Sequence, residues 1–275
     1  MSLEKQLTPI ARVLARVGCF AIGAVYVLIG TWAMLALLRV AHPAADEERI
    51  LQRMLAFPLG SPFIAAVVLG TSGYMLWLIF EAIFDPYELG NTPTALIART
   101  GTGLSALAYA LIVSSGVKVL LGSGGRGEQK QQWLVAKILD WPAGEWLIGA
   151  AGLLVAFAGL YQIKFVSDGD HERRVEMSER TPLVRTIVHF LAWTGYFARC
   201  AILLVLGWFL LDSAWSSDPQ AVGDTDTAFD FLGLGGGSFG DAVFTAVAVG
   251  TINYGIFMCI NGIYFKVSHD RSKAR

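Results

Sequence analysis

The strongest constraint on this chain is a series of apolar stretches, each long enough to cross a bilayer. Val17–Leu38 and Met54–Phe80 contain no charged side chain, and a spanning helix needs about 20 apolar residues. Within hydrocarbon the backbone must satisfy its own hydrogen bonds, so such runs are predicted to be helical. Six follow one another, over roughly 12–38, 55–84, 97–121, 145–166, 186–213 and 240–267. Composition agrees: 16% of residues are charged, against about 25% in soluble proteins. The expected fold class is all-α, a polytopic membrane protein of six transmembrane helices.

The runs repeat in pairs. The second carries Gly70, Tyr74 and Glu81, then Asp85-Pro86 and Gly90. Tyr74 and Glu81 are seven residues apart, which places them on one helix face two turns apart. Tyr161 with Asp168, and Tyr254 with Asn261, repeat that spacing. The odd-numbered runs begin alike, with Ala15-Arg16-Val17-Gly18, Ala98-Arg99-Thr100-Gly101 and Ala192-Trp193-Thr194-Gly195. The connector Leu55-Ala56-Phe57-Pro58-Leu59-Gly60 resembles Leu139-Asp140-Trp141-Pro142-Ala143-Gly144, and the third copy is reduced to the glycine-rich Gly233–Gly240.

The motif tyrosine follows the connector glycine by 14, 17 and 14 residues. Three extra residues are close to one helical turn, so the same face is expected in all copies. Ahead of Pro142, Trp133, Leu134, Ile138 and Leu139 alternate with Gln131, Gln132, Lys137 and Asp140, a pattern that suits a short interfacial helix, and short interfacial helices are expected in the outer connectors. The chain thus reads as one membrane domain of three tandem helical hairpins, over 10–90, 97–169 and 186–268, which could surround a pseudo-threefold axis.

Orientation follows from the basic residues. With six spans, the side holding both termini and the inter-repeat loops carries 13 Lys and Arg, the other side carries 6, and Lys118 and Arg199 lie within spans. Both ends are expected to be cytoplasmic. The first run is too long for a signal-peptide core and belongs to the repeat, so it is read as retained.

Several function classes lose support. A net charge of −1 provides no footprint for nucleic acid. Cys19, Cys200 and Cys259 lie in apolar runs without pair spacing, as small buried hydrophobes do. The four histidines show no metal spacing, and His189, at the start of the fifth run, fits an interfacial position better than a haem ligand. The glycine patterns of Gly122–Gly127 and Gly236–Gly240 lack the strand that a dinucleotide turn or nucleophile elbow requires. No metal, cofactor or catalytic group is expected, and the reading leans away from an enzyme.

Ionisable residues inside spans are functional candidates because leaving them unpaired is costly. Arg199 is expected to pair with Glu81, with Asp168 and Asn261 near the same level; headgroup snorkelling of Arg199 is the plainer alternative. Tyr74, Tyr161 and Tyr254 join this candidate cluster, though interhelical packing explains such tyrosines as well. Lys118 and Asp212 form a candidate outer pair. Ala66/Gly70 and Ala242/Ala246/Gly250 are small-residue ridges read as close helix contacts within the fold. The charged loop Ser167–Arg185 reads as a solvated linker or partner-docking segment.

The hairpin triplication, Gly195-Tyr196-Phe197-Ala198-Arg199, Pro142-Ala143-Gly144-Glu145-Trp146-Leu147, and Tyr74 through Asp85-Pro86 to Gly90 resemble the bacterial family called "domain of unknown function 1206". The resemblance implies a six-span bacterial inner-membrane protein and, by its name, no known activity. Ile22 and Ser105 stand where that family usually has the arginine that Arg199 retains. The leading expectation is a non-enzymatic protein that binds membrane lipid, a hydrophobic small molecule or another membrane protein. The alternative is a small-solute transporter or channel with its site where the repeats meet. A dry centre with an apolar opening to lipid favours the first; polar faces converging on one cavity favour the second.

Overall fold

The computed structural model describes residues 3–38, 55, 60–85, 90, 92–122, 127–169, 182–233 and 237–264. Within these, the helices are α1 (Leu3–Leu37), α2 (Gly60–Phe84), α3 (Pro93–Leu120), α4 (Gly127–Leu139), α5 (Gly144–Ser167), α6 (Pro182–Ser216), α7 (Thr225–Gly233) and α8 (Gly237–Tyr264), with a 3-10 turn at Pro219–Ala221. Segments long and apolar enough to cross a membrane occupy Val13–Leu37, Gly60–Phe84, Ala98–Leu120, Gly144–Ser167, Pro182–Ser216 and Ser238–Tyr264. These are the six expected runs. The charged 170–181 linker, most of the first outer connector, His42, His171, His269, the centre of the Gly122–Gly127 pattern and the C-terminal basic residues lie outside the described residues.

Local chemistry sets the helix ends. Thr92 caps α3, its hydroxyl accepting from the Ala95 N–H at 3.3 Å, and Pro93 follows at the first helical position, where a missing N–H costs nothing. Gly122 and Gly169 take φ of 70° and 71° just past α3 and α5, where a left-handed residue closes the last turn. After α2, the Asp85 carboxylate accepts from the Gly90 N–H at 2.8 Å.

The spans pack in the order α3–α2–α1–α8–α6–α5. In sequence terms each span packs on its neighbour and α8 closes back on α1, as a three-hairpin ring requires. One link is missing: α3 and α5, the two spans of the middle repeat, form no packed interface among the described residues. They are also the least buried spans.

Repeats one and three match in atomic detail. A Cβ on Gly18 would strike the Tyr74 backbone, and one on Gly195 would strike that of Tyr254. A Cβ on Gly70 would meet the Ala21 methyl and the Val17 carbonyl; one on Gly250 would meet Ala198 and the Thr194 carbonyl. A Cβ on Gly101, the third repeat glycine, would meet nothing within 4 Å among the described residues. The middle hairpin is therefore opened.

The other contacts are also glycine-lined. Gly23 and Gly255 bring α1 and α8 together, each aimed at the other's carbonyl. In α5 and α6, Gly152 and Gly207 do the same. Small residues suit a bilayer, where association depends on close packing rather than on water release. The small-residue ridges serve these contacts only in part. Gly70 and Gly250 are buried in them, while Ala66, Ala242 and Ala246 face outward.

In the connector between α3 and α5, α4 falls where the alternation of Trp133–Asp140 predicted a short helix. Its Val135 packs with Ile148 and Val222. Helix α7 is a second short helix in a connector, ahead of the glycine-rich Gly233–Gly240. Asp224 caps it, its Oδ1 accepting from the Thr227 N–H and hydroxyl at 3.0 Å each, and Phe229 is fully buried against Phe244 in the core shared by α1, α6 and α8.

Candidate functional site

An arginine set among tyrosines occupies the centre of the arc. Arg199 of α6 donates to the Tyr254 hydroxyl on α8, and its guanidinium carbon lies 4.5 Å from the Tyr254 ring centre and 5.2 Å from that of Tyr26 on α1. Tyr109 of α3 and Tyr196 of α6 pack in the same buried cluster as Tyr254. The rings order one another edge to face, Tyr26 to Tyr254 at 4.8 Å, Tyr196 to Tyr254 at 5.4 Å and Tyr74 to Tyr109 at 5.2 Å. Around them Trp77, Leu78, Ile22 and Met258 are buried. A cation over aromatic faces is stabilised by about 2 kcal/mol or more when shielded from water.

Arg199 thus engages tyrosines in place of the expected Glu81. The Glu81 carboxylate, itself buried, accepts from the Trp77 indole N–H at 3.1 Å on the same helix. Among the described residues no acidic side chain pairs with Arg199. Its tyrosine partners come from other spans, which single-residue spacing does not reveal.

Asp168 is placed differently from the expected cluster. It is exposed at the end of α5, bridged to Lys164 at 2.5 Å. The register explains why. Gly207 meets the Gly152 carbonyl and the Ala156 nitrogen as Gly30 meets the Ala248 carbonyl and the Ile252 nitrogen. Gly152 and Ala248 both lie eight residues past their connector glycines, Gly144 and Gly240, so α5 carries no insertion. The position of Tyr74 and Tyr254 is Ala158 in the middle repeat, and that of Glu81 and Asn261 is Phe165, which packs on Tyr196 at 5.5 Å. Tyr161 lies a turn further on, half-buried, without a hydrogen-bond or ring partner among the described residues.

Asn261 is buried, with its amide nitrogen 3.8 Å from the Met258 sulfur and its carbonyl oxygen unpartnered. Lys118 and Asp212 are both exposed, and no ion pair joins them among the described residues. An open groove of about 690 Å³, lined by Thr194, Asp241, Ala246 and Asn253, runs between α6 and α8. Groups of three or more His, Cys, Asp or Glu placed to hold a metal are absent among the described residues.

The sequence-only reading omitted Gln162, whose side-chain carbonyl is buried without a partner on α5. A polar amide in an otherwise apolar span was the available signal.

Comparison with known proteins agrees with the triplication. The family described as Domain of Unknown Function (DUF1206) matches residues 17–85, 100–164 and 194–264. The uncharacterized protein YxxB of Bacillus subtilis (strain 168) is 30% identical over 266 residues, covering 96% of this chain and 95% of that protein. No solved structure matches.

Proposed function

This chain belongs to the DUF1206 family, and on that premise we propose that it binds a hydrophobic or amphipathic molecule taken laterally from the bilayer. The observation that carries this reading is the opened middle hairpin. Gly18 and Gly195 are covered by tyrosines, while Gly101 faces open space, and α3 and α5 flank the gap. The centre behind it is filled with aromatic side chains rather than lined by polar faces of all six spans, which favours binding over solute passage. The protein lies in a bacterial inner membrane with both termini cytoplasmic, in keeping with the excess of Lys and Arg on that side.

The test is native mass spectrometry of the protein purified in a mild neutral detergent. A stoichiometric amphiphile should remain bound and should be lost from a Gly101→Trp variant, whose Cβ meets no described atom within 4 Å and whose ring would occupy the gap. Protein that retains no amphiphile, or variant and wild type that retain it equally, would overturn the reading.

A further inference from the structure

We infer that Arg199 anchors the acidic head of the bound amphiphile, a carboxylate or phosphate carried on an acyl chain, and that Gln162 contacts the same head. The inference rests on the lateral-binding reading above and adds the ligand's chemical class.

The argument begins with charge. Arg199 is only partly covered, and its partners among the described residues are neutral: one tyrosine hydroxyl and two ring faces. A guanidinium carries five N–H donors in a planar fork, and only the Tyr254 hydroxyl accepts from this one among the described residues. A cation held among apolar helices is expensive unless an anion meets it. The fork matches carboxylate and phosphate oxygens two at a time. The tyrosine rings hold the guanidinium in place without neutralising it, so the site is built for an anion that the described residues do not supply.

Gln162 provides the second point. Its buried carbonyl has no hydrogen-bond partner among the described residues. Gly159 lies against Cys200 and Leu203, and Phe165 against Tyr196, so Gln162, between them on α5, stands level with Arg199. In the register fixed by Gly152 and Gly207 its counterparts are Leu78 and Met258, both part of the buried centre. Gln162 therefore occupies an inward-facing position on a helix that borders the gap. A head with an acidic oxygen for Arg199 and a hydroxyl or protonated acid O–H for Gln162 would satisfy both groups. Its tail would leave between α3 and α5, where exposed leucines such as Leu107 and Leu153 mark lipid-facing surfaces.

The test is equilibrium binding of radiolabelled oleate and methyl oleate to the full-length protein after detergent exchange. These share a tail and differ in the headgroup charge. Oleate should bind at least tenfold more tightly. Arg199→Gln should abolish the preference and Arg199→Lys should keep most of it; Gln162→Leu should leave oleate, which brings no O–H, unchanged and weaken oleoyl lysophosphatidic acid, which carries a hydroxyl beside its phosphate, several-fold with an unchanged melting temperature. Equal binding of the two probes by wild type overturns the anchor while leaving lateral binding intact; this comparison decides even if Arg199→Gln fails to fold. Binding of neither probe overturns both readings. Displacement of oleate by millimolar inorganic phosphate overturns the bilayer source in favour of an aqueous anion.

Discussion

Gly195 lies directly against Tyr254: a Cβ there would come within 2.7 Å of the tyrosine Cα. The two helices of the third hairpin meet where one residue has no side chain, and this same approach places the Tyr254 hydroxyl under Arg199. Gly18 and Tyr74 repeat the contact in the first hairpin. The missing side chain is thus a condition for both the packing and the aromatic centre.

The three repeat glycines should respond differently to alanine. In an unobstructed helix Gly→Ala gains about 1 kcal/mol in propensity, while forcing a methyl into a packed contact costs about 1–3 kcal/mol. Gly18→Ala and Gly195→Ala are expected to lower the melting temperature in detergent, and Gly101→Ala to leave it unchanged or raise it. A destabilisation by Gly101→Ala equal to the other two would mean that the middle hairpin is closed.

The spans and their triplication were legible because length, apolarity and recurring glycines are written locally. Which span touches which was not. A helix that is apolar all round carries no stripe to show its inward face, and Gly101 is the same letter as Gly18 and Gly195 although its surroundings differ. Tyr161 drew the middle repeat out of register because a conspicuous tyrosine outweighed the count from Gly144, which lands on Ala158. The partners of Arg199 were hidden for a related reason. Formal charge points to Glu81, while the folded chain surrounds the guanidinium with rings from other spans. A short helix was expected in the connectors, but the position of α7 was not legible because its anchor, Phe229, sits among acidic and glycine residues that read as loop.

A double-mutant cycle separates the two charged residues. Glu81 accepts from Trp77 and Arg199 donates to Tyr254, so Glu81→Gln and Arg199→Gln should add to within about 0.5 kcal/mol. Trp77→Phe with Glu81→Leu should instead be coupled by about 0.5–3 kcal/mol, since each removes the same bond. Melting in detergent reads both cycles. Strong coupling between Glu81 and Arg199 would restore the ion pair that the charges alone suggest.

The cap of α7 offers a cleaner probe of the outer side. Asp224→Ala removes the acceptor of both Thr227 bonds and should cost about 1 kcal/mol. Asp224→Asn keeps an oxygen where Oδ1 accepts and removes a buried charge whose other oxygen, Oδ2, is unpartnered. The asparagine variant should therefore melt close to wild type and well above the alanine variant. Equal losses in the two would assign the role of Asp224 to its charge rather than to its cap.

Topology can be decided by the short helices. Gln132 of α4 donates to the Val222 carbonyl at 3.5 Å, and Val135 packs with Ile148 and Val222, so the second and third outer connectors share one face of the membrane. Six spans place both termini on the opposite face, where the basic residues are in excess. Single cysteines introduced at Gln131 and Ser217, both exposed, in a background without Cys19, Cys200 and Cys259, should react with an impermeant maleimide added to intact spheroplasts. Cysteines placed at Ser2 and Ser272 should react only after lysis. Labelling of the termini in intact spheroplasts would invert the assignment, and opposite labelling at Gln131 and Ser217 would break the six-span arrangement itself.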